Sequence, residues 1–460
     1  MRVSGFATWE ECCWLRNWIF KIKKNADGSF NRFKARLVAQ GFSQEEGIDF
    51  HEVFAPVAKY NSIRTVLAVS NALDLELHQM DVKTAFLNGT LEEDIYMSQP
   101  QGCIEKDKPE KVCKLRKSLY GLKQSARCWN LEMDKFLKIS GYKQSNADSC
   151  IYTKVVSNSE DRKSLIILAL YVDDILIASS DNDMLQKEKQ MLSQRYKMED
   201  MGPDHHCLGV LIERNRDNKT LYVSQKAYLE DIITRFGMMD CKPVPTPIEP
   251  GRVYKRLSDD DTVFDKKKYQ AAIGSLNYVM IATRPDICVA VGFLSQFMSN
   301  PSMDHWQGVK RIFRYLNGTL NHCLTFNATN ADVKLHGYAD ADWAGDVETK
   351  KSTSGYIFQL AGSTISWRSQ KQQAVALSTT EAEYISISSA TQEAIWLRRL
   401  ISSLGFDCKK ATVLFEDNQG AIALSKNPKG HSRTKHIDIK YHFIREAVSK
   451  KEIELAYCPS

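Results

Sequence analysis

The chain has 460 residues, 43% hydrophobic and 26% charged, with a formal net charge of +6; it is too long for one ordinary core, has apolar residues for several, and allows an anionic partner without demanding one. Its twelve cysteines stand singly apart from Cys12-Cys13 and form no paired CxxC set, which excludes a zinc-finger or disulfide framework and fits reduced thiols in a cytoplasmic or nuclear setting. The start "MRVSGFATWEECCW" lacks the uninterrupted apolar core of a secretion signal.

The first predicted elements are two strands, "WIFKIKK" and "SFNRFKARLVAQ", joined as a hairpin around Asp27-Gly28. Lys21, Lys23, Lys24, Arg32, Lys34 and Arg36 make it basic. "NSIRTVLAVSNAL" has the apolar spacing of a helix, and "LELHQMDV" reads as a strand ending near Asp81. Much later comes "LIILALYVDDILIASS", the most apolar stretch of the chain, broken by Asp173 and Asp174. A membrane span needs about 20 mainly apolar residues, so this is instead a buried hairpin with "VDD" at its tip. His205-His206-Cys207 reads as a surface or strand-edge cluster, because adjacent ligands suit a tetrahedral metal poorly.

Four prolines in "CKPVPTPIEPG" remove amide donors and favour extended backbone, and "SDDDTVFDKKK" continues the break. From Tyr269 to Phe326 the pattern is helical, with "WQGVKRIFRYLNG" closing on Gly318. A third region starts near Asp332: a strand "VKLHGYAD", a strand pair "SGYIFQL" and "STISWRSQ" turning at Ala361-Gly362, and a capped helix "STTEAEYISISSATQEAIWLRRLISSLG". It ends with a strand "ATVLFED", a short helix "NQGAIALSK" and a strand "KEIELAYCPS". This order gives a mixed sheet with helices.

Two adjacent carboxylates in an apolar segment repel each other and are costly to bury unless a cation neutralises them. Asp81, on another predicted strand, could join Asp173 and Asp174 in holding a pair of divalent ions. All-oxygen ligands suit Mg2+, two ions per site, with Mn2+ as an alternative. A solvated turn or a cap would explain any one of these aspartates by itself.

The segments "KARLVAQGFSQ", "FAPVAK", "QMDVKTAFLNG", "SLYGLKQSARCW", "YVDD", "KPVPTP", "GYADADWAGD", "STTEAEY" and "EDNQGAIAL" occur in this order. From about Trp18 to the last residue the chain resembles the reverse transcriptase and ribonuclease H part of a copia-type retrotransposon Pol polyprotein, shortened at both ends. The resemblance implies a multidomain α/β and α+β fold: a right-hand polymerase of fingers, palm and thumb, then a ribonuclease H-like mixed sheet with helices. The expected division is 1–15 a divergent remnant, 16–240 fingers and palm, 241–268 a Pro-rich and charged linker, 269–330 a helical thumb or connection, and 331–460 the ribonuclease H-like domain.

By the same resemblance Asp81, Asp173 and Asp174 are the catalytic metal ligands of the palm, with Tyr171 beside them on the substrate side. Phe86 falls where an aromatic ring lies under the incoming sugar and would collide with a ribose 2′-hydroxyl; a plain core phenylalanine is the other reading. Lys34 and Arg36 belong to fingers that cover the triphosphate, Arg36 favoured because a fixed guanidinium suits phosphate, while Lys34 also reads as part of a solvated face. Gln124 is the expected contact to template and nucleotide. Leu208-Gly209 falls at the primer-gripping hairpin. A second two-metal site, for cutting the RNA strand of a hybrid, falls on Asp340, Glu381 and Asp417, since strand ends and helix starts gather on one edge of an open sheet. Glu383 competes with Glu381 and Asp342 with Asp340; positions two apart on a helix face apart, so one glutamate alone points inward. Glu381 could instead simply favour the helix N-terminus. The family's ribonuclease H carries a fourth acid after the counterpart of "LAYCPS"; here the chain stops at Ser460 and Asp438 is the nearest substitute, so that activity is expected to be impaired.

The function expected is RNA-directed DNA polymerisation with an RNA template, a DNA primer and dNTPs, plus contact with RNA–DNA hybrid and no membrane. The rival from another class is a catalytically inactive nucleic-acid-binding remnant of a decayed or host-retained element. A nuclease acting alone is a third reading.

Overall fold

A computed structural model describes residues 16–24, 29–157, 163–203, 206–256, 262–328, 333–426 and 438–459. The expected turn at Asp27-Gly28, His205, and the side chain of Asp438 lie outside the described residues.

Strands β1 (Arg16–Lys24) and β2 (Phe30–Ala39) pair antiparallel, with Lys21 opposite Lys34 and Ile19 opposite Arg36. Helix α1 (Tyr60–Ala72) leads into β3 (Glu76–Val82). The short strands β4 (Tyr96–Ser98) and β5 (Val112–Lys114) pair with each other ahead of α2 (Ser125–Ile139). Then follow β6 (Lys143–Gln144), β7 (Ile151–Ser157), β8 (Lys163–Tyr171), β9 (Asp174–Ser179), α3 (Asn182–Arg195) and β10 (Met198–Pro203). Six of these strands form one sheet in the order β10-β3-β9-β8-β7-β6.

The run "LIILAL" is apolar without alternation because both faces of this sheet are covered. Ile167, Ala169, Leu176 and Ala178 share a core with Val66, Leu67 and Val69 of α1. Ile166, Leu168, Leu170, Ile175 and Ile177 pack with Trp129, Met133 and Leu137 of α2 and with Leu185 and Leu192 of α3.

Next come β11 (His206–Cys207), β12 (Val210–Asn215), β13 (Thr220–Ser224) and α4 (Lys226–Arg235). No helix or strand interrupts the described part of 236–265, where the prolines lie. Helices α5 (Lys266–Ala282), α6 (Cys288–Ser295) and α7 (Met303–Gly318) enclose a second core that includes Ile273, Leu276, Val291, Ile312 and Phe313. The helical expectation to Phe326 is corrected at its end: β14 (Leu324–Asn327) is a strand. It pairs antiparallel with β13, Leu221 opposite Phe326, closing a sheet in the order β11-β12-β13-β14.

The last unit has β15 (Leu335–Asp342), β16 (Thr353–Leu360), β17 (Ser363–Lys371), α8 (Thr379–Ser403), β18 (Thr412–Glu416), α9 (Gln419–Lys426), α10 (Asp438–Ser449) and β19 (Ile453–Tyr457). Its sheet order is β17-β16-β15-β18-β19, antiparallel from β17 to β15 and parallel from β15 to β19. The two-residue turn at Ala361-Gly362 has both residues at positive φ, 50° and 74°, the geometry that matches the twist of a tight hairpin.

Helix α1 is buried almost all round because this last sheet covers its outer face. Arg64, 3% exposed, donates from α1 to Ile365 O of β17 at 2.7 Å and to Ile281 O and Ala282 O of α5 at 2.6 and 3.0 Å. Its guanidinium carbon sits 3.8 Å from the Trp367 ring centroid. The ten cysteines among the described residues are free thiols. No helix among the described residues is long and apolar enough to cross a membrane.

Candidate active sites

Pairing of β3 with β9 sets Asp81 directly opposite Asp174. Pairing of β8 with β9 sets Tyr171 opposite Asp174 and leaves Val172 and Asp173 as a two-residue turn. Val172 sits at φ 57°, a conformation in which a β-branched residue is strained. Two bonds hold it there: Trp129 Nε1 donates to Val172 O at 2.6 Å, and Val82 N donates to Asp173 O at 2.9 Å. The turn is therefore pinned from α2 on one side and from β3 on the other, and the three aspartates gather at one sheet end. Burial pushes the Asp174 carboxyl up; Gln79 Nε2, donating to its Oδ1 at 3.0 Å, opposes the shift, and the charges of Asp173 and Asp81 add to it. Three hard-oxygen donors repelling one another in a half-buried place suit a divalent cation.

Around them, Phe86 in the short 3-10 turn Ala85–Asn88 packs on Tyr120, ring centroids 5.0 Å apart. Ser118 Oγ donates to Phe86 O and fixes its backbone. The Arg36 guanidinium also lies over Tyr120, 5.1 Å from the ring centroid. Burial raises the Tyr120 phenol, Arg36 lowers it, and Asp173 and Asp81 raise it further. Tyr120 thus stands between the basic hairpin and the acids, a role sequence reading missed although "SLYGLKQ" contains it. Arg36 Nε is buried and has no hydrogen-bond partner among the described residues. Lys34 shares its strand face, two residues away.

Gln124 is 1% exposed. Its Nε2 donates to Asp49 O at 2.8 Å and its Oε1 accepts from Gln44 Nε2 at 3.1 Å. The amide is committed inside the protein, so contact with a ligand would require those bonds to be given up. Tyr171, its phenol raised by burial and by Tyr278, faces a tyrosine cluster around the Leu208–Gly209 turn. Tyr60 and Tyr278 both donate to Leu208 O, at 3.3 and 2.9 Å. Gly209 is required there: a Cβ would lie 2.2 Å from the Tyr278 hydroxyl.

In the last unit, carboxylate oxygens of Asp340, Glu383 and Asp417 all lie within 4.8 Å of one another. The structure brings Glu383, the competing glutamate, and not Glu381 into this trio. Ser378 caps α8 by accepting from Glu381 N at 3.2 Å, and Glu381 Oε2 turns back to accept from Leu377 N at 2.8 Å. That cap fixes the helix phase, so Glu383, two positions on, points inward. Asp342 also stands outside the trio, accepting from Thr353 N. Burial pushes the Glu383 carboxyl up, and Glu416, Asp340 and Asp417 push the same way. Glu416, missed in the sequence, ends β18 beside Asp417 and is raised chiefly by burial. Among the described residues, Glu383 Oε2 and Glu416 Oε2 are both buried without a hydrogen-bond donor. Such orphaned oxygens beside two further carboxylates fit a bound hard cation.

Residues 13–250 match the family described as reverse transcriptase (RNA-dependent DNA polymerase). The chain is 47% identical over 443 residues to the Pol polyprotein of transposon TNT 1-94 from Nicotiana tabacum, covering 95% of this chain and 33% of that protein. To the Pol polyprotein of transposon RE1 from Arabidopsis thaliana it is 44% identical over 440 residues, covering 96% of this chain and 29% of the relative. It therefore spans about a third of the length of these relatives. In fold it is similar to a foamy viral protease–reverse transcriptase solved with double-stranded DNA, at a TM-score of 0.53 and 14% identity over 96% of this chain and 65% of that one.

Proposed function

The chain belongs to the reverse transcriptase (RNA-dependent DNA polymerase) family in its copia-type retrotransposon form, and from that premise we propose that it is an RNA-directed DNA polymerase carrying a ribonuclease H unit. One observation carries the reading: Asp81 and Asp174 face each other across paired strands while a pinned turn presents Asp173 beside them. The substrates are an RNA template, a DNA primer and dNTPs, and the setting is cytoplasmic or nuclear.

Asp81, Asp173 and Asp174 would hold Mg2+, with Mn2+ able to replace it. The bound ions supply electrostatic stabilisation of the charge that develops when the primer 3′-hydroxyl attacks the α-phosphate. Arg36, oriented by Tyr120, binds the triphosphate with a guanidinium whose Nε has no partner among the described residues. Lys34 adds a cation on the same strand face. The Phe86 ring, backed by Tyr120, bars a 2′-hydroxyl. Gln124 positions the segment 44–49, and Tyr171 helps support the Leu208–Gly209 turn under the primer. In the ribonuclease H unit, Asp340, Glu383 and Asp417 would hold the ions for cleavage of the RNA strand of a hybrid. We keep 16–240 as fingers and palm, 241–268 as linker, 269–330 as thumb or connection and 331–460 as the nuclease unit, noting that β14 pairs back to β13 across those borders.

The test is capture of the next dNTP by the protein on a dideoxy-terminated primer annealed to RNA. Capture should require Mg2+ and be lost in Asp81→Asn. A folded parent that binds the hybrid but never captures a matched dNTP would contradict the proposal.

A further inference from the structure

Glu416 is 1% exposed and Glu383 6% exposed, and their carboxyl groups come within hydrogen-bonding reach of each other. Glu416 Oε1 accepts from Asn418 N at 3.2 Å. Glu383 Oε2 and Glu416 Oε2 have no hydrogen-bond donor among the described residues. As carboxylates both are acceptors only, so a proton or a cation must lie between them. Burying them so is costly, and the arrangement calls for something positive between them. Glu383 is also one corner of the trio with Asp340 and Asp417, whose oxygens lie within 4.8 Å of its own. It therefore joins an outer, solvent-facing set, in which Asp340 is exposed, to the deeply buried Glu416.

We propose that Glu416 is a fourth carboxylate of the divalent-cation site in the C-terminal unit, coordinating the inner ion from the buried side together with Glu383. The donor set is all oxygen, so the ion is of the Mg2+ or Mn2+ class. The proposal rests on the reading of Asp340, Glu383 and Asp417 as metal-binding residues. It adds that Glu416, buried at the end of β18, and Asp417, half-buried in the bend that follows, both supply ligands.

The experiment is Mn2+ titration of the full chain, following free Mn2+ by electron paramagnetic resonance. Asp173→Asn and Asp174→Asn are present throughout so that the polymerase site is not counted. The unaltered C-terminal site should bind Mn2+, and Asp340→Asn should weaken that binding, which tests the underlying reading alone. Glu416→Gln, which keeps shape and removes charge, should weaken the tighter Mn2+ by about 10- to 100-fold. Glu416→Asp, which keeps charge on a shorter arm, should fall between the two. Equal Mn2+ affinity in Glu416→Gln, while Asp340→Asn loses it, would overturn the proposal and leave Glu383 and Glu416 as a pair sharing a proton. Absence of any Mn2+ binding before position 416 is altered would overturn both readings.

Discussion

Phe86 packs 5.0 Å from Tyr120 by ring centroids and its carbonyl is held by Ser118, and the proposed exclusion of a 2′-hydroxyl rests on this placement. An apolar pocket rejects an added hydroxyl by only about 10²-fold, which sets the size of effect to expect from one ring. Phe86→Ala should lower the preference for dNTPs over ribonucleotides by roughly 10²-fold, read as the ratio of kcat/KM values on one primer–template. An unchanged ratio would return Phe86 to the plain core role. The ring position was legible from "QMDVKTAFLNG", whereas Tyr120 was not. Its place depends on β2 docking on the segment after β5, through Ala39 N donating to Tyr120 O at 2.8 Å, and no local spacing records such a contact.

At the scale of elements, the hairpin β8–β9 was readable because its strands are covered on both faces, so the apolar run breaks only at the Asp173-Asp174 turn. Strand β14 was not: four residues give too short a pattern, and the partner that makes them a strand lies about a hundred residues earlier. Helix α10 was overlooked for a related reason, its start falling beside residues 427–437 where the sequence offers no clear cap. The choice between Glu381 and Glu383 turned on the phase of α8, set by the Ser378 cap. Between β15 and β16, Asp346 anchors the connecting loop. Burial works against its charge, but Lys371 Nζ and the Thr349 N and Oγ1 donors hold its pKa down at about 2. Because the folded value lies below the ordinary 3.8, this stabilisation is present above about pH 4 and is lost as pH falls towards 2. Asp346→Asn should therefore cost stability at pH 7, with the gap to the parent closing between pH 4 and 2 in denaturant unfolding. A gap independent of pH would contradict that account.

Across the whole molecule, Arg64 joins three parts of the fold, α1 under the polymerase sheet, α5 of the helical region and β17 of the last sheet. Arg64→Met would fill much of the space but strand two buried carbonyls, Ile365 O and Ala282 O, at about 1–3 kcal/mol each. Calorimetry should show the C-terminal sheet unfolding before the polymerase sheet; a single unshifted transition would mean the units are held together elsewhere. The central claim concerns the other end of α1's sheet, where Asp81, Asp173 and Asp174 meet. It is tested most directly by primer extension on an RNA template with dNTPs and Mg2+, comparing the parent with Asp173→Asn. Extension by the parent that disappears in the variant is the predicted result. A folded, hybrid-binding parent that extends nothing, or a variant that extends as well as the parent, would contradict it.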